Sequence, residues 1–199
     1  DLRESYRRER EQEKERYHNE IIGYHGSEEG LETLLGYQLF SIGNRADSAA
    51  LVYQVDYVLD GYVKKAGTNF VLSVGRLIGS QPELKGEQRL RKEDIYWEMP
   101  RCYQWDITVN LPESYRISPE GLERLNVKVE NDCGAFIVQA TTEDGTLRIK
   151  AEKRINHKTE PVANWEKLLE ITDAANSYEA LSIVFQATIN PPTSPTTGY

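Results

Sequence analysis

The sequence predicts a mainly β protein: an antiparallel β-sandwich with a charged helix at its N-terminus and one helix packed near its C-terminus. Three observations carry that reading. Apolar and polar residues alternate with a period of two through much of the chain after residue 30, where one segment near the end has a helical period instead. Short turns rich in Gly, Asp and Asn separate the alternating runs. The large apolar residues are aromatic, with 12 Tyr, 3 Trp and 4 Phe against one Met, which suits a pleated, half-buried surface better than a helical bundle.

Residues 3–20 interleave both charge signs at i,i+4 spacing, with Arg10 and Lys14 set among Glu9, Glu11, Glu13 and Glu15. Such a stretch is a solvated helix. Leu2, Tyr6, Tyr17, Ile21 and Ile22 make an apolar stripe too narrow for a core, so residues 1–25 read as a charged helical connector. A break at residues 26–30 ends the helical period. Residues 51–59 are apolar at every odd position, with Gln54 and Asp56 between, and Asp60-Gly61 then supplies turn chemistry. Residues 103–111 alternate without a fault. Their parity places Tyr103, Trp105, Ile107, Val109 and Leu111 inside, and Gln104, Asp106, Thr108 and Asn110 outside.

Runs at 125–130, 136–140 and 147–152 follow, separated by Asn131-Asp132-Cys133-Gly134 and Glu143-Asp144-Gly145, the pattern of an antiparallel meander. The helical segment comes next. Pro161 sets its approach, Asn164 stands at the N-cap position, and Trp165, Leu168, Leu169 and Thr172 share one face. Residues 181–187 read as a last strand, which makes 26–188 the β-sandwich domain and the Pro/Thr-rich residues 189–199 a tail.

A chain of 199 residues buries about 70% of its unfolded surface, enough to close a core without metal or disulfides. Its net charge of -8, from 24 Lys and Arg against 32 Asp and Glu, argues against a nucleic-acid partner. The longest apolar runs, at 49–53 and 70–74, fall far short of the ~20 residues of a transmembrane segment. The chain opens at Asp1 with no apolar leader, so it reads as a piece of a longer protein.

Cys133, His157 and Asp173 occur in the chain order of papain-like and transglutaminase-like cysteine enzymes. A catalytic thiol needs a depressed pKa, normally from a helix N-terminus and an adjacent imidazole. Cys133 falls instead in a hairpin turn, which favours a structural role. A Cys102–Cys133 disulfide stays open, with two free thiols preferred. The histidines His18, His25 and His157 lack Cys partners at ligand spacing, and residues 75–79 lack the Lys-Ser/Thr ending of a phosphate-binding loop. Neither a metal nor a cofactor is therefore expected. The basic stretch 85–92 is neutralised by Glu83, Glu87, Glu93 and Asp94. Among the aromatics, Tyr96 and Trp97 are left as the exposed pair that would stack on a sugar, because parity assigns Tyr103 and Trp105 to the core.

The run from Asn156 to Ala175 (NHKTEPVANWEKLLEITDAA) resembles the end of the C-terminal domain of bacterial exported transglutaminase-like proteins. Blocks at 64–70 (KKAGTNF), 75–79 (GRLIG), 94–97 (DIYW), 128–131 (KVEN) and 134–136 (GAF) agree in order, and the resemblance covers about residues 1–187. In that family an N-terminal β-sandwich comes first, a transglutaminase-like domain second and this domain of unknown function last. The family's catalytic residues belong to the middle domain, so none carries over here. The resemblance implies an accessory domain that is not an enzyme by itself, with the upstream transglutaminase-like domain as partner and a periplasmic or cell-surface location. It also implies structural roles for His157, Pro161, Asn164, Trp165 and Asp173: His157 fixing the chain before the helix, Asp173 holding its last turn. An envelope glycan- or protein-binding module using Tyr96 and Trp97 is the alternative. A cysteine hydrolase built on Cys133 and His157 is the third reading.

Overall fold

The computed structural model describes residues 31–44 and 49–188, together with Glu11, Gln12, Glu15, Arg16, Asn19, Glu20 and Gly23, which have helical backbone. The rest of the expected connector and the tail at 189–199 lie outside the described residues. The chain divides into two compact units, Asp1–Tyr62 and Val63–Tyr199.

In the first unit, β1 (Leu31–Asn44) and β2 (Ala49–Leu59) pair antiparallel, with three register shifts along β1. Alternation in β2 sorts as the period of two requires: Tyr53, Val55, Tyr57 and Leu59 are half-buried, while Gln54 and Asp56 are exposed and hydrogen-bonded to each other. Gly61 adopts φ +74° and its N–H donates to Asp60 Oδ1 at 2.7 Å, closing the strand.

The second unit contains two four-stranded antiparallel sheets. The larger runs β6 (Arg101–Asn110), β10 (Thr146–Ile155), β9 (Gly134–Glu143), β8 (Val127–Asn131). The smaller runs β3 (Val63–Ala66), β4 (Asn69–Leu72), β12 (Ile183–Ala187), β7 (Tyr115–Ile117). A two-residue ladder joins β5 (Ile95–Tyr96) to β11 (Thr159–Glu160). The meander β8–β9–β10 is the one the turn chemistry predicts. Between β9 and β10, Asp144 and Gly145 both take positive φ (47° and 72°), the backbone a two-residue hairpin needs to match strand twist.

Two helices join these strands. Short α1 (Pro119–Glu123) is capped by Ser118, whose Oγ accepts from Gly121 N at 3.0 Å. The longer α2 (Trp165–Glu179) packs against β9 and β8, burying Leu168, Leu169, Ile171, Ala175 and Tyr178. Phe136 of β9 lies beneath it, and Val138 of β9 and Leu147 and Ile149 of β10 are buried on the same face of the sheet. Tyr178 meets Phe136 edge-on, with ring centroids 5.8 Å apart. The buried stripe differs from the expected one at its C-terminal end. Ile171 and Ala175 take the core positions, whereas the Thr172 hydroxyl turns back to the Leu168 carbonyl.

Strand β6 departs from expectation in depth, not parity. Its odd positions are the more sheltered, yet Trp105, Ile107 and Val109 are only half-buried and Tyr103 is 47% exposed. The reason is sheet order. β6 is the outermost strand, and α2 packs over β9 and β8 on the far side of β10.

Candidate functional site

The strongest concentration of chemically capable side chains lies where the β8–β9 turn meets the start of α2. Asn131 accepts from Cys133 N through Oδ1 at 3.0 Å and donates through Nδ2 to the Lys167 carbonyl at 3.0 Å, tying the turn to the helix. Lys167 Nζ reaches both carboxylate oxygens of Asp132, at 2.9 and 2.8 Å. That ammonium holds the Asp132 carboxyl below its ordinary range, and Asp132 in turn raises Lys167. Both side chains are well exposed, so the pair orients the turn more than it stabilises it.

Cys133 lies fully buried inside this turn, packed with Ile95 and Leu168, and its carbonyl accepts from Asn156 N at 2.9 Å. Burial pushes its thiol up to about 11, with the negative charges of Glu160 and Asp132 adding to the effect. The thiol is therefore protonated at neutral pH, the reverse of what a nucleophile requires.

The members of the Cys-His-Asp order go to different partners. His157 Nδ1 lies 2.6 Å from Glu160 Oε1. Asp173 sits in the middle of α2, where it takes Arg89 in a fork, Nη1 to Oδ1 at 2.8 Å and Nη2 to Oδ2 at 2.7 Å. It thus holds the loop before β5 against the helix, while the last turn of α2 ends further on, at Glu179. The same loop is held again by Trp165, whose Nε1 donates to the Arg89 carbonyl at 2.8 Å, and by Arg91, which lies 5.4 Å over the Trp165 ring. Much of the basic stretch 85–92 is thus occupied inside the chain.

Glu160 is the residue that sequence reasoning missed. Its side chain is the one buried charge among the described residues, 2% exposed. Burial alone would raise its pKa, but hydrogen bonds from Asn164 Nδ2 to Oε2 (2.7 Å) and from His157 outweigh this and bring it below the ordinary value. Asn164 spends its side chain on Glu160 and makes no side-chain cap on α2; the helix instead continues from a 3₁₀ turn (Val162–Asn164) entered through Pro161. A sequence signal was present: Glu160 stands three residues after His157 and four before Asn164.

The aromatic candidates part company. Tyr96 is 64% exposed, with Lys158 Nζ 5.2 Å over its ring. Trp97 is half-buried against the cluster of Ile95, Cys133 and Leu168, and its N–H donates to the Lys158 carbonyl at 2.8 Å. Successive residues of extended backbone point to opposite faces, which is why the two rings do not form a platform. The aromatic pair left on an open face is Tyr103 and Trp105, with centroids 6.1 Å apart and planes inclined by 22°.

Cys102 and Cys133 are both free thiols, Cys102 exposed and Cys133 buried. Cys102 is on β6 and Cys133 immediately precedes β9, with β10 between those strands. Two interstrand spacings, about 9.5 Å, exceed the ~7 Å that a disulfide spans. With a thiol-reactive dye, one sulfhydryl, that of Cys102, is expected to titrate at once and the second only after denaturant is added. Two fast thiols would contradict the burial of Cys133.

Among the described residues no group of three or more His, Cys, Asp or Glu side chains is placed to hold a metal ion, and no helix is long and apolar enough to cross a membrane. No family model, characterised protein or solved structure compared with the chain matches it.

Proposed function

We propose that the chain is a non-catalytic accessory domain of an exported transglutaminase-like protein, at the periplasm or cell surface, packing on the catalytic domain upstream of it. The observation that carries the non-catalytic half is the state of Cys133: buried, protonated and beside a carboxylate, while His157 and Asp173 serve Glu160 and Arg89. The family half rests on the ordered sequence blocks, above all residues 156–175. In this proposal residues 1–25 are the charged joint, and residues 26–188 are a β-sandwich whose second layer is the β3–β4–β12–β7 sheet. The burial of Ile183 and Phe185 on β12 supports the second layer.

The pure chain is expected to show no amide hydrolysis and no acyl transfer from glutamine or ester donors. Turnover that disappears in Cys133→Ser would overturn the proposal. One observation favours a second reading, an envelope glycan- or protein-binding module: the nearly parallel rings of Tyr103 and Trp105 on the open face of β6, which replace Tyr96 and Trp97 as the surface to test.

A further inference from the structure

The two four-stranded sheets present four edges, and three are protected in the ways natural sheets use. β7 has three residues; β3 has four, including Lys64 and Lys65; β8 has five, including Lys128 and Glu130, with α2 packed against it. The fourth edge, β6, is different. It runs ten residues in unbroken register with β10, contains no Pro, Gly or bulge, and has only Arg101 and Asp106 as charges. Its outer side pairs with no described strand, and its sheltered face is a row of half-covered apolar side chains from Tyr103 to Val109.

We infer that β6 pairs antiparallel with β6 of a second copy of this chain, about a two-fold axis at Gln104, placing each Tyr103 opposite Trp105 of the other copy. In a sheet continued through a two-fold axis, opposed residues share a face, so the axis passes through a residue position. Centring on Asp106 would set two carboxylates directly against each other. Centring on Trp105 would set Asp106 of one copy in line with Gln104 and Glu152 of the other, since Gln104 is opposite Glu152. Centring on Gln104 removes both conflicts. Asp106 then lies in a row between Lys150 of its own copy and Cys102 of the other, with Arg154, which is paired with Glu152 and Glu130 of its own copy, next beyond Cys102. On the opposite face the two Tyr103–Trp105 stacks meet as a group of four rings, covering the stripe that α2 leaves open.

The full chain is therefore expected to sediment as a dimer. Gln104 is exposed on the outer face, so Gln104→Glu costs the fold only its surface hydrogen bond to Glu152 while aligning four carboxylates in one row, one from Glu152 and one from the substituted position in each copy. The one new like-charge contact across the axis, between the two substituted positions, weakens the dimer about fivefold. In a Cys102→Ser background, Gln104→Cys is expected to oxidise to a covalent dimer, its two Cα atoms lying within disulfide reach across the axis. Thr108→Cys in the same background stays uncoupled, because Thr108 and its mate are about 27 Å apart, eight strand residues. A wild-type chain that remains monomeric at millimolar concentration overturns the inference. So does equal cross-linking by Thr108→Cys, or a monomer in which the β6 amides are already protected from hydrogen exchange by another occupant.

Discussion

Gly75→Ala is expected to destabilise the second unit by about 3 kcal/mol or more. A Cβ at this position would fall well inside van der Waals contact of the Tyr178 carbonyl oxygen and 2.5 Å from that of Glu179. No rotamer can relieve this, because both obstacles are backbone at the end of α2. The close approach has a purpose: Gly75 N donates to the Leu181 carbonyl at 3.0 Å, docking the 3₁₀ turn Val74–Ile78 so that Val74 and Ile78 become buried. Gly79 is the contrasting case. Nothing lies within 4 Å of an added Cβ, and the cost of Gly79→Ala is instead backbone strain of about 1–3 kcal/mol, because φ +75° with ψ 173° is a region essentially confined to Gly. Urea unfolding followed by tryptophan fluorescence reads the right unit, since Trp97, Trp105 and Trp165 all fall within Val63–Tyr199. A Gly75→Ala midpoint equal to that of wild type would refute the account.

Glu160→Ala is the second large effect, a loss of about 3 kcal/mol. The substitution leaves Asn164 and His157 without the acceptor they share and opens a gap beside buried Cys133 and Leu168. Its pH dependence follows from the direction of the shift. The folded pKa of Glu160 lies below the ordinary 4.5, so its contribution is fully present above 4.5 and fades as pH falls from there through the folded value. Asp132, Glu152 and Asp173 are shifted the same way, so wild type alone cannot isolate Glu160. The difference between wild type and Glu160→Gln can: it should shrink as pH is lowered through that window. A difference that stays constant from neutral pH down to pH about 3 would mean that the carboxylate is not held ionised in the folded state.

Most of the second unit's strands were legible because their information is local. In residues 136–140 and 147–152 the period of two survives intact, and Asp144-Gly145 names its own turn type. The helix after Pro161 was legible for the same reason, although its buried face was not: whether Thr172 or Ile171 turns inward depends on what the helix meets. The site was legible only as a set of residue types. Cys133 and His157 were visible, but the carboxylate that answers His157 is that of Glu160, which only its spacing to His157 and Asn164 marks in the sequence. The carboxylate that seemed to complete the set, Asp173, pairs with Arg89, 84 residues away. No local pattern records a pairing of that span.

Tyr103 and Trp105 draw the division most sharply. Alternation alone puts them on the apolar face of a strand, because side-chain parity depends on neighbours one and two residues away. That this face is half open was settled in three dimensions, because cover depends on β6 being last in its sheet and on α2 lying across β9 and β8. The same holds for Cys133. Its place in a turn is local, but its burial and retained proton come from Ile95, Glu160 and Leu168, brought together from three separate segments of the chain.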